Sequence, residues 1–314
     1  MTIFSRCGTW VRCAGLAAGL ALAGCSSSGG SGADGGTSSD GKPATTDGAA
    51  KSDGARGDGA VKGDAGATGK WTGGKGGKTG SYEFNMDFGG NKRLIAVYVP
   101  SGYSEKKGVP LILHFHGWRP PPAEVLDEIK YVWGPVADAK GFIAVAPEGL
   151  PCPELNPKEP YACFREESEG PFLKALVESL GKQYNLDLQR IYLSGHSGGG
   201  YFVQGMGLME STLYAAVMVW SGGCISAKDI YGNSCSEYDK LAKVAKRKIP
   251  FSVAHNGQDQ IVPVQYGADM LQVLQKYGHT TTAFDMVNGG KYGHSIDPDY
   301  PVKAWEWVSK HVLP

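Results

Sequence analysis

The sequence predicts an α/β fold, a mostly parallel sheet with helices on both faces, forming a single domain behind an N-terminal stretch that does not fold. Past residue 80, short β-branched runs alternate with longer segments of helical period. The runs are apolar along their whole length, as strands covered on both sides must be. Residues 26–80, by contrast, are Gly, Ser, Asp, Ala, Lys and Thr with almost no large apolar side chain beyond Val61 and Trp71. Such a stretch cannot bury enough apolar surface to offset the entropy of ordering it. Of 314 residues, about 235 then remain for the folded part, enough for one domain with a sizeable core. With 31 basic and 31 acidic side chains and no long Lys/Arg run, the chain has no field to gather phosphate backbones, so nucleic acid is not an expected partner.

Residues 1–24 read as a targeting segment. Arg6 and Arg12 supply positive charge, and the apolar run that follows, at roughly ten residues, is too short to span a bilayer. It ends in Leu22-Ala23-Gly24-Cys25, which resembles the lipobox of bacterial lipoprotein signal peptides. The resemblance implies that Cys25 is lipidated and that the mature chain is held on a membrane of the cell envelope without crossing it. An ordinary secretory peptide releasing an extracellular protein is the alternative. Residues 25–80 then form a flexible tether.

Residues 93–100, 110–115, 142–146, 190–194, 214–220, 251–254 and 280–287 read as strands. Helical period places helices near residues 123–139, 169–184, 198–209, 264–277 and 301–312. In parallel sheets, sites form beyond the carboxyl ends of the strands, so the residues just after each strand carry the chemistry.

One such turn is Gly195-His196-Ser197-Gly198-Gly199, directly after the strand RIYLS and directly before a helical stretch. A serine at a tight strand-to-helix turn presents its hydroxyl as a nucleophile, and flanking glycines avoid collisions with strand and helix. The hydroxyl needs a base, and the base an orienting acid. Among seven histidines, His294 lies in a glycine-rich loop after the last strand and before the last helix. Asp259, in the loop after FSVAHN, is the candidate acid, against the simpler reading of a helix N-terminal charge. The oxyanion hole is expected from the N–H of Gly198 and, after the strand PLILHF, the N–H of Trp118 in His116-Gly117-Trp118-Arg119. His196 and Trp118 are candidate pocket walls, with Tyr161 and Tyr231 as further aromatic surface.

These motifs resemble secreted α/β-hydrolase esterases of the polyhydroxybutyrate depolymerase and feruloyl or acetylxylan esterase group, over about residues 90–314. LILHFHGW, IYLSGHSGGG with YAAVMVWSGG, HNGQDQIVP and the closing GHS carry the likeness. It implies an α/β-hydrolase fold with Ser197 as nucleophile, Asp259 as acid and His294 as base, working without metal or organic cofactor. The chain departs from the depolymerases in having Trp118 and three prolines, 120–122, after the His-Gly pair. The expected substrate is therefore a feruloyl or acetyl ester of a plant polysaccharide rather than a polyester. A prolyl-oligopeptidase-like peptidase and a catalytically silent binding module on the same fold are the rival readings.

With Cys7 and Cys13 lost with the signal and Cys25 lipidated, Cys152, Cys163, Cys224 and Cys235 remain. An even set in an exported domain suggests disulfides in one of three connectivities. Local pairing, Cys152 with Cys163 and Cys224 with Cys235, is expected, each pair stiffening a loop that follows a strand.

Overall fold

A computed structural model describes residues 70–119, 124–153, 155, 157–158, 160–225, 234–284 and 292–314. Residues 1–69, which include Cys25, residues 120–122, Tyr231 and residues 285–291 lie outside the described residues.

In chain order the elements are β1 (Gly80–Phe88), β2 (Asn91–Val99) and β3 (Val109–Phe115), then α1 (Val125–Glu128), which runs through a π-helical turn (Ile129–Trp133) into α2 (Gly134–Lys140). There follow β4 (Ile143–Pro147), a hairpin of β5 (Leu150–Cys152) and β6 (Tyr161–Cys163), α3 (Glu166–Gln183), β7 (Leu186–His196), α4 (Gly198–Met209) and β8 (Ala216–Trp220). The last elements are α5 (Cys235–Val244), β9 (Phe251–Ala254), α6 (Val264–Lys276), β10 (Thr281–Phe284) and α7 (Tyr300–Val308).

Eight strands form one sheet in the order β1-β2-β4-β3-β7-β8-β9-β10. The first two pairings, β1 with β2 and β2 with β4, are antiparallel, and every pairing from β4 through β3 to β10 is parallel. Side chains alternate between the faces, so Leu111, Leu113, Val217 and Val219 join a core roofed by α3, α4, α5 and α6, while Ile112 and Met218 join one roofed by α1, α2 and α7. Both faces are therefore dry, which is why these strands read as unbroken apolar runs.

Four features differ from the sequence expectation. β1 was not anticipated because it alternates residue by residue, with Tyr82, Phe84, Met86 and Phe88 packed on the core and the residues between them exposed. An edge strand with one wet face has a period of two, not a continuous apolar run. α5 was also missed, although Ser234 caps it by accepting a hydrogen bond from the Ser236 N–H, and Ser234-Cys235-Ser236-Glu237 carries the capping-box spacing that signals a helix start. Three of the four cysteines sit in regular structure rather than loops: Cys152 and Cys163 lie on the paired strands β5 and β6, and Cys235 opens α5, while Cys224 lies in the segment after β8.

The fourth difference is the domain boundary. Residues 70–79, assigned to the tether by composition, are laced onto the start of β7. Thr72 N–H donates to Leu186 O at 3.1 Å, Thr72 Oγ1 donates to Tyr184 O at 2.7 Å, and Leu188 N–H donates to Lys70 O at 3.0 Å. Gly74 and Gly77 lie so close to Tyr184 that a Cβ at either would collide with it. Composition misled because glycine here serves close backbone approach, not freedom.

Candidate active site

The parallel strands bring three turns to one edge of the sheet. β7 ends at His196, and the chain reverses at Ser197 into α4 with φ 52° and ψ −119°, a backbone state that an L side chain rarely adopts. The turn is held in place on both sides: Ser197 N–H donates to Trp220 O at 2.8 Å, and Tyr201 N–H donates to Ser197 O at 3.0 Å. A Cβ at Gly195 would fall on the Gly199 backbone, and one at Gly199 on the Phe115 carbonyl, so only glycine at both positions lets the strand meet the helix this tightly.

Asp259 lies five residues past the end of β9, and His294 lies past β10. The three side chains meet. His294 Nε2 is 2.9 Å from Ser197 Oγ, and His294 Nδ1 is 2.7 Å from Asp259 Oδ2. A carboxylate only accepts, so Nδ1 carries the proton and Nε2 is left to accept from the serine hydroxyl. Asp259 is itself pinned, its Oδ1 accepting the N–H groups of Ile261 and Val262 at 2.9 Å each. His255 approaches Oδ2 at 3.5 Å and donates from Nε2 to Val262 O at 2.7 Å. Burial raises the Asp259 carboxyl, but the hydrogen bonds from His255, His294, Val262 and Ile261 outweigh it and hold it well below the usual carboxylate range.

Beside Ser197 runs the loop after β3. A Cβ on Gly117 would sit 3.1 Å from Ser197 Cβ, so glycine is what leaves room next to the hydroxyl. His116 braces this loop: its Nε2 accepts the Gly149 N–H at 2.9 Å, and its Nδ1–H therefore donates to Gly117 O at 2.7 Å. Arg119 O accepts the Ala162 N–H at 2.8 Å, which ties the loop to β6 and brings Tyr161 near it. The Arg119 guanidinium pairs with Glu128, which also accepts from His114 Nε2 at 3.1 Å. Burial pushes His114, His116 and His196 down to about 3, so all three are neutral frame members.

Trp118 lies with its indole on Gly198 and is 37% exposed. His196 is partly buried, and its Nε2–H donates to the His294 carbonyl at 2.6 Å, which ties the backbone of His294 to the serine turn. His255 and His116 received no supporting role from sequence alone. Their positions, directly after β9 and directly before Gly117, were the signals available. A cavity of about 30 Å³, walled by Trp220, His255, Ser295 and Tyr300 among others, adjoins the His294 segment.

Both expected disulfides are present. Cys152–Cys163 closes the β5–β6 hairpin with the Cα atoms 5.9 Å apart, and Cys224–Cys235 joins the segment after β8 to α5 with a Cα separation of 4.8 Å.

Among solved structures, a thermostable esterase is similar with a TM-score of 0.54 and 21% identity, covering 74% of this chain and 63% of that one. A ferulic acid esterase is similar with a TM-score of 0.56 and 17% identity, covering 74% of this chain and 99% of that one. The chain has the α/β-hydrolase fold. Residues 168–312 match the phospholipase/carboxylesterase family. A bifunctional acetylxylan esterase/xylanase of Neocallimastix patriciarum is 25% identical over 223 residues, 71% of this chain but only 29% of the length of that relative. Acetylxylan esterase A of Aspergillus oryzae is 22% identical over 261 residues, 73% of this chain and 78% of the relative.

Proposed function

We propose that this α/β-hydrolase is a serine esterase that cleaves carboxylic esters through an acyl-enzyme, with acetyl or feruloyl esters of plant polysaccharide as substrates. The observation that carries the reading is the unbroken hydrogen-bond chain from Ser197 Oγ through His294 to Asp259, with the serine on a strained turn.

Each residue then has a defined task. As Ser197 Oγ bonds to the ester carbonyl carbon, its proton passes to His294 Nε2, and the resulting imidazolium is stabilised by the ionised Asp259. The carbonyl oxygen, now negative, takes hydrogen bonds from the N–H groups of Gly198 and Trp118. Collapse of the intermediate expels the alcohol, which takes the proton from His294 Nε2. A water molecule then repeats the sequence on the acyl-enzyme, losing its proton to His294 and releasing the acid and the free serine.

The polysaccharide assignment is supported by the acetylxylan esterases among the relatives and by the exposed aromatic surface of Trp118 beside the nucleophile. Lipidation at Cys25 would hold the enzyme on the cell envelope, where polymeric substrates are met outside the cell.

Incubation of the purified protein with acetylated or feruloylated xylan and, separately, with polyhydroxybutyrate tests the substrate. Faster release of acetate or ferulate is expected, and hydroxybutyrate release well above both would overturn the preference.

A further inference from the structure

The residue after the nucleophile is glycine for a reason that the serine turn does not supply. Gly195 and Gly199 are excluded from carrying a Cβ by backbone atoms, but at Gly198 the obstacle is a side chain: a Cβ there would fall on the pyrrole edge of the Trp118 indole. Gly198 opens α4 with no positive φ, so its backbone state is open to any residue. Alanine is the better helix former. What Gly198 provides is a seat for the ring.

The chain on either side of the ring is also held. On one side of Trp118, Gly117 O is fixed by His116 and through it by Gly149; on the other, Arg119 is fixed by Ala162 and Glu128. The result is a flat aromatic surface, 37% exposed, carried on a braced loop directly beside Ser197. A ring ordered in advance loses little entropy on binding, so contact with a second flat apolar face is turned efficiently into affinity.

Building on the proposed polysaccharide esterase activity, we propose that the Trp118 indole, seated on Gly198, is the platform on which the sugar ring carrying the ester stacks, which makes the Trp118–Gly198 pair a specificity determinant for the alcohol side of the substrate. A polymer stays outside the protein, so its sugar needs an exposed surface near the nucleophile. A pyranose presents a face of C–H groups that suits an indole.

The experiment is isothermal titration of xylohexaose, which carries no ester, into the inactive Ser197→Ala protein and into the same protein with further substitutions. Trp118→Ala is expected to weaken the Kd about tenfold and Trp118→Phe to recover most of that loss. Gly198→Ala, by unseating the ring, is expected to weaken binding severalfold alone but less than about twofold when Trp118 is already Ala, because coupled residues are not additive. An unchanged Kd in Trp118→Ala, or a Gly198→Ala effect undiminished by loss of the ring, would overturn the proposal. If Gly198→Ala fails to fold by circular dichroism, the Trp118 substitutions decide. Turnover of acetylated xylan by the unaltered enzyme is followed in parallel. Turnover with a Kd indifferent to Trp118 sinks the platform alone, whereas absence of both turnover and xylohexaose binding sinks the polysaccharide reading together with it.

Discussion

Ser197 is held in a backbone state that costs of order 1–3 kcal/mol, and the bonds from Trp220 and Tyr201 keep it there. Asp259 is equally over-determined, with two backbone N–H groups on one oxygen and two histidines on the other. Asp259→Asn should therefore leave the fold intact and lower kcat on p-nitrophenyl acetate by roughly 10³–10⁴-fold, because a neutral amide no longer fixes the His294 tautomer. The pH dependence of stability follows from the buried histidines. The unfolded chain takes up protons on His114 and His116 near pH 6.5, whereas the folded protein keeps both neutral down to about 3. Below pH 6.5 the unfolded state thus binds more protons, and stability falls as pH falls. Between pH 6 and pH 5 this pair alone should remove about 2 kcal/mol, read as a drop in the midpoint of urea unfolding at the two pH values. A midpoint that does not move would show that these histidines are protonated in the fold.

At the scale of elements, one of the two disulfides bears on a loop at the site. The β5–β6 hairpin closed by Cys152–Cys163 meets Arg119 through Ala162, so it supports the loop that carries Trp118. Replacing both cysteines by serine should cost about 2–3 kcal/mol of stability and lower kcat/KM more than an exposed change of similar size would. Thermal unfolding and ester kinetics on the double variant measure the two effects. The parallel strands and five helices were legible because dry strands and amphipathic helices leave strong periodic patterns. The turn at Ser197 was legible because strand, glycines and helix occur in fixed order within a few residues. What was missed leaves weaker marks: β1 has one solvated face, α5 is signalled mainly by a capping pattern, and residues 70–79 dock through backbone hydrogen bonds that no side-chain pattern encodes. The bracing roles of His116, His196 and His255 depend on contacts between turns far apart in sequence, such as the 98 residues separating His196 from His294.

For the whole molecule, the docked stretch from residue 70 enters at Leu186 and Leu188, the start of β7, while Ser197 follows its end. At about 3.3 Å per residue, a strand of 11 residues puts that entry point and Ser197 some 30 Å apart. Cys25→Ser should accordingly shift the protein from the detergent phase to the aqueous phase on Triton X-114 partitioning without changing ester turnover; retention in the detergent phase would refute lipidation at that position. The central claim is that this fold performs acyl transfer through Ser197. Its most direct test is mass spectrometry of the protein treated with a fluorophosphonate, alongside turnover of p-nitrophenyl acetate by Ser197→Ala. A single adduct on the peptide containing Ser197 is expected, together with a fall in kcat of at least about 10⁴-fold in the variant with its fold retained. An adduct on another residue, or a variant with activity near that of the unaltered enzyme, would contradict it.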